Sequence, residues 1–127
     1  MAAEIVLLKG AFPELAIGAD LWCRFPAYKL PPGIWNVETA ELAFQIPAQL
    51  PGTGPYGFWV RPKLALASGA AISNYIPNVT IPLGAGWGQF SWVLEPWAPA
   101  SDINEMTKGT NMVNFVESFA ARLREGS

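Results

Sequence analysis

A single thiol, Cys23, and the absence of histidine from all 127 residues set the limits on the chemistry this chain can carry. A thiol attacks as its thiolate, which needs solvent access and a cation or helix terminus beside it. In Asp20-Leu21-Trp22-Cys23-Arg24-Phe25 the cysteine alternates onto one strand face with Leu21 and Phe25. That is the setting of a buried structural cysteine, and Arg24 points the other way. The missing imidazole removes the commonest general base and metal ligand, so Ser-His-Asp and Cys-His arrangements cannot be assembled from this chain alone. Ser91 could carry an ester only with a base that the chain lacks. One cysteine excludes an intramolecular disulfide and a cysteine-based zinc cluster, and no metal or cofactor is expected. Glu38 and Glu41, three apart in a strand, face opposite ways and make a poor acid–base couple. The run Gly84-Ala85-Gly86-Trp87-Gly88 lacks the following helix that a phosphate-cradling loop requires.

The aromatic residues offer binding rather than catalysis. There are six tryptophans, a residue that fills cores and also dominates interface hot spots. Trp59 and Trp97 read as core. Trp35 and Trp87, set beside Pro and Gly, read as exposed anchors, and with Tyr75 and Trp92 they form the expected partner-binding set.

Composition narrows the partner classes. The chain is 51% hydrophobic and 14% charged, with a net charge of −2, against roughly 25% charged in an ordinary soluble domain. Its eight basic residues are scattered, which argues against a nucleic-acid footprint. No apolar run approaches the ~20 residues of a membrane span. Glu4 and the short apolar stretch Ile5 to Leu8 do not make a secretory signal, so a cytoplasmic location is expected. The length fits one domain over residues 1–127.

The elements that must position these residues are α+β in pattern. Glu4 to Leu8 and Asp20 to Phe25 read as early strands, and no helical periodicity precedes residue 30, so an N-terminal helix is not expected. Leu42, Phe44 and Ile46 alternate with Ala43 and Gln45 as in a half-buried strand. Pro47, Pro51, Gly52, Gly54 and Pro55 then forbid helix and regular sheet, before a short aromatic strand, Phe58-Trp59-Val60, that stops at Arg61-Pro62. Leu64 to Leu94 contains no charged residue and reads as a long ordered loop, packed on its own domain, covered by a partner or buried in a homo-oligomer. Trp87 to Val93 reads as a strand with Trp87, Gln89, Ser91 and Val93 on one face and Gly88, Phe90, Trp92 and Leu94 on the other. Asp102 with Glu105 resembles a capping box. Asn111 is placed to cap a helix whose Met112, Phe115, Val116, Phe119 and Leu123 recur at helical spacing, with Gly126 ending it.

The order of these pieces resembles a known family. KLPPG (Lys29 to Gly33), the ELAFQIPAQLPGTGPYGFWVRPKL block (Glu41 to Leu64) and GWGQFSWVLEPWAPASD (Gly86 to Asp102) are similar in order and spacing to prokaryotic family E of the ubiquitin-conjugating-enzyme (UBC) superfamily. The resemblance covers about Leu30 to Leu123. It implies a UBC-like antiparallel β-meander with the C-terminal helix packed on the sheet. It also implies a place in bacterial ubiquitin-like conjugation, tied to antiphage defence, with a ubiquitin-like protein or a ThiF-type activating enzyme as partner. Conjugating enzymes carry the modifier on a cysteine about eight residues beyond a His-Pro-Asn motif. Ile76-Pro77-Asn78 resembles that motif without its histidine, so Asn78 matches the oxyanion-stabilising asparagine, but no cysteine lies between Thr80 and Trp97. The family's F-S-R-H stands here as Phe90-Ser91-Trp92-Val93. The resemblance thus implies a binding partner without a usable catalytic cysteine. An aromatic-rich module for a small ligand or peptide, unrelated to conjugation, is the alternative.

Overall fold

The computed structural model describes residues 2–50, 52–100 and 108–127. Helix α1 (Ala2–Ala11) comes first, then the two-residue strand β1 (Ala16–Ile17) and a 3-10 turn (Ala19–Leu21). Strands β2 (Trp22–Lys29), β3 (Thr39–Gln45) and β4 (Phe58–Arg61) follow, then β5 (Tyr75–Ile81), β6 (Gly84–Phe90) and helix α2 (Met112–Glu125). The strands form one antiparallel sheet in the order β1-β2-β3-β4-β6-β5. The fold is α+β. No helix among the described residues is long and apolar enough to cross a membrane.

The proline-laden crossover does what its sequence demands. It returns the aromatic strand beside β3, with Leu42 opposite Val60 and Ala43 opposite Trp59. Within it Gly54 gives room to Trp97, because a Cβ there would come within 2.8 Å of the indole. Period-two alternation then sorts the sheet. Cys23, Phe25, Leu42, Phe44, Phe58, Val60 and Phe90 face the helices, joined in one buried cluster by Leu8 of α1 and by Met112, Phe115, Val116, Phe119 and Leu123 of α2. Phe58 stacks between Phe90 and Phe119, with ring centroids 4.7 and 4.3 Å away. Each fully buried phenylalanine contributes roughly 1.5–3 kcal/mol.

Two expectations are corrected. The first is the N-terminus, where α1 replaces the expected strand over Glu4 to Leu8. AAEIVLLKGA is apolar on nearly every side, so no 3.6-residue stripe announces a helix. Tertiary contacts select it: Leu8 is buried in the core, and the buried Glu4 carboxylate accepts the Met112 backbone N–H at 2.8 Å, at the start of α2. The second is the uncharged stretch from Leu64 to Leu94, which contains the β5–β6 hairpin rather than a continuous loop. Pro77 and the left-handed Asn78 (φ 58°) lie inside β5 at a break in register between Ile76 and Val79, which hides the strand from pattern reading. Strand β6 starts at Gly84 and ends at Phe90, three residues upstream of the expected span at both ends. Its two faces alternate as expected, with Gly88 left bare so that the Tyr75 side chain can cross it.

Helix α2 follows the sequence reading closely. Asn111 and Asn114 exchange reciprocal side-chain bonds to each other's backbone N–H, a capping box, and Gly126 ends the helix at φ 75°. The Asp102–Glu105 motif lies outside the described residues. Arg122, 3% exposed, donates to the Gly126 carbonyl at 3.0 Å and the Ser73 carbonyl at 2.7 Å while covering the Phe90 ring. It ties the approach to β5 onto α2.

Two measurements test this packing. Hydrogen bonds to a charged group contribute about 1.5–3 kcal/mol, so Arg122→Ala should lower unfolding stability by roughly 3 kcal/mol in urea titrations. Burial pushes the Glu4 carboxyl above its ordinary range, against the opposing pull of the Met112 N–H. A raised carboxyl favours the neutral form in the fold, so its contribution is complete below the ordinary glutamate value and is lost as pH rises through the folded value. Glu4→Gln keeps an acceptor for Met112, and should match the parent Tm in acid and exceed it near neutrality.

Candidate functional site

Cys23 sits on the helix side of β2, opposite Phe44, and is fully buried. Its Sγ lies 3.6 Å from the Leu21 carbonyl. Burial pushes the thiol up to about 12, and the charge of Lys9 offsets this only in part. At neutral pH it is a protonated core residue.

The other two candidates for chemistry lie elsewhere. Asn78 is exposed on β5 at the far edge of the sheet. Three strands stand between it and β2, a separation of about 19 Å at ordinary strand spacing. Ser91 follows β6, and its backbone N–H donates to the Asn74 carbonyl at 2.9 Å. Asn74 is four residues, about 13 Å of strand, from Asn78. The structure therefore does not bring Cys23, Asn78 and Ser91 together. Among the described residues no group of three acidic, cysteine or histidine side chains could hold a metal ion.

The expected anchors are placed differently from the sequence reading. Trp35 is 6% exposed and donates its indole N–H to the Leu123 carbonyl at 3.0 Å, and Trp87 is 0% exposed. Neither is the exposed residue its Pro and Gly neighbours suggested: α2 holds the Trp35 indole and the Arg61 guanidinium covers that of Trp87. Tyr75 and Trp92 are half-buried. The Tyr75 hydroxyl accepts from the Leu64 N–H at 2.8 Å, and the Trp92 N–H donates to Ser118 Oγ at 2.8 Å. Trp59, read as core, is instead half-buried on the opposite side of the sheet.

That opposite side carries an ordered polar network, and pattern reading does not find it. Strand register lines up Arg24, Ala43, Trp59, Gln89 and Ile76 across five strands, with Glu41, Arg61 and Trp87 along the next row. Glu41 receives two bonds from Arg61 at 3.0 Å and one from Arg24 at 2.8 Å. Those bonds, led by Arg61's, hold its carboxyl below the usual range despite partial desolvation. Arg61 also covers the Trp87 ring at 4.4 Å and reaches the Ala85 carbonyl. The buried Trp87 N–H has no hydrogen-bond partner among the described residues. Trp22 and Trp59 meet edge to face at 5.0 Å. They do so beside Ala43, whose single methyl leaves the space. The alternation of β3 and β4 is visible in sequence, but which residues stand side by side depends on register, and no short motif encodes that.

A separate cleft of about 420 Å³ lies along the β2–β3 connection, lined by Leu30, Pro31, Pro32, Trp35 and Val37 with Lys29 and Glu38 among its polar groups. It is apolar and rigidly walled, since Trp35 is pinned to α2.

Set against known proteins, residues 10–116 match prokaryotic E2 family E. No curated protein matches, and no solved structure does either. The matched span runs from the end of α1, through all six strands, into the first turns of α2. With most of its length inside that match, this chain belongs to prokaryotic E2 family E.

Proposed function

We propose that this chain is a UBC-like component of a bacterial ubiquitin-like conjugation system that binds the modifier or a ThiF-type activating enzyme instead of carrying the modifier itself. Family membership supports the pathway. The observation that carries the non-carrier role is the state of the lone thiol: Cys23 is enclosed by core side chains and held protonated far above neutral pH. Thioester exchange needs an accessible thiolate and donors placed at the developing oxyanion. Asn78, the residue matched to that donor role, stands some four strand spacings from Cys23. In this reading the domain works in the cytoplasm and contributes to antiphage defence by holding a partner in place.

A small-ligand or peptide module is the second reading, and the cleft along the β2–β3 connection is what favours it. Its wall is Trp35, so intrinsic fluorescence reports on occupancy directly.

Incubation with a ThiF-type activating enzyme, its ubiquitin-like protein and ATP should give no reducible adduct on this chain, while co-purification with one of the two proteins should persist in Cys23→Ser. A reducible adduct that Cys23→Ser abolishes would overturn the non-carrier role. In the absence of denaturant, a thiol reagent such as dithionitrobenzoate should label Cys23 at least ~100-fold more slowly than in urea, following a thiol pKa of about 12 against an ordinary value near 8.5.

A further inference from the structure

Every charged residue in the six strands falls on the face of the sheet turned away from the helices. Arg24, Lys29 and Arg61 stand there against a single acid, Glu41. Among the strand residues this face carries three basic groups and one acid, in a protein whose net charge is −2. Asp20, in the turn before β2, adds one exposed carboxylate at the rim.

The two arginines are held in place by Glu41, and Lys29 stands exposed at the end of β2. Glu41 binds Arg24 through Nε alone, so the two terminal nitrogens of that guanidinium keep their donors for another group, on a side chain 40% exposed. Beside them the half-buried Trp59 is braced by Trp22, and its N–H donates to Gln89 Oε1 at 3.1 Å. Ile76, 49% exposed, completes the row on β5. Arg24 to Trp59 is two strand spacings, about 10 Å, and Trp59 to Ile76 is another two. A cation, an aromatic ring and an aliphatic side chain are therefore presented in line on an ordered sheet.

We propose that this outer face is a docking surface for an acidic protein segment that carries carboxylates to Arg24 and Lys29 and sets apolar side chains on Trp59 and Ile76. Charge complementarity selects the occupant. Arginine and tryptophan are the residues that most often carry interface energy, and prior fixing of Arg24 by Glu41 reduces the ordering cost of binding. Nucleic acid is a poorer fit, because Glu41 already offsets one of three cations and phosphate binding draws on several. A second copy is also poorer, since a two-fold contact through this face would bring two net-positive surfaces together. The inference takes from the proposed function only that the partner is a protein.

The test is an NMR titration of the ¹⁵N-labelled chain with a synthetic peptide alternating glutamate with phenylalanine or leucine. Shifts are expected at the Trp22 and Trp59 indoles and the backbone amides of Arg24, Ile76 and Gln89, and binding should weaken with added salt. Lys29→Glu, an exposed change that spares the Glu41 network, should weaken binding several-fold, and Arg24→Glu by roughly tenfold with the amide spectrum otherwise intact. If Arg24→Glu unfolds, Ile76→Asp, an exposed change on β5 away from the β2–β3 cleft, still decides by the same loss of binding. The proposal is overturned by shifts confined to the β2–β3 cleft, by no shifts, or by equal binding of the lysine counterpart peptide. Tighter binding of oligothymidine overturns it in favour of nucleic acid. Self-association in light scattering that Arg24→Glu removes overturns it in favour of a second copy. The adduct and co-purification assays do not depend on this peptide, so either reading can fail alone.

Discussion

Phe58, sandwiched between Phe90 and Phe119, is the contact on which the rest of the architecture depends. It comes from the strand after the proline-rich crossover, Phe90 from the hairpin strand, and Phe119 from the C-terminal helix. Three segments distant in sequence are thus joined at one point. Phe44, from the strand before the crossover, meets the same Phe119 ring at 5.8 Å. The flat stack fixes the register of β4 between β3 and β6, and register in turn decides what stands on the other side of the sheet. A one-residue slip would exchange Val60 for Trp59 or Arg61 in the core, and the cost of burying a guanidinium there makes the arrangement singular.

Much of this was legible in the residues. The alternation from Leu42 to Ile46, the prolines that end it and the return at Phe58 specify adjacent antiparallel strands. Asn111 and the five apolar positions after Met112 specify a capped helix lying on them. What pattern could not supply was everything decided by tertiary partners. Helix α1 has no amphipathic stripe because its environment, not its period, holds it. Strand β5 tolerates Pro77 and a left-handed Asn78 since it lies at the sheet edge, where a missing donor is inexpensive. Tryptophans flanked by Gly and Pro suggested exposed turns, yet Trp87 is enclosed because Arg61 covers its ring.

The candidate site shows the same division. Alternation alone was enough to bury Cys23 beside Leu21 and Phe25, and the structure encloses that thiol completely. Alternation was not enough to assemble Arg24, Glu41 and Arg61, which come from three strands and are separated by 17 and 20 residues in the chain. Read singly they are solvated charges. Read in register they form a fixed array, and the functional emphasis moves from the thiol to the uncovered side of the sheet.

Ala43 matters for its size alone. Completely enclosed, it occupies the one outward position of β3 that lies between two indoles. A valine or leucine in that register would wedge the rings apart and break their edge-to-face contact. Among related chains, then, a single methyl group against a branched side chain would separate those that keep the two indoles in contact from those that have given that contact up.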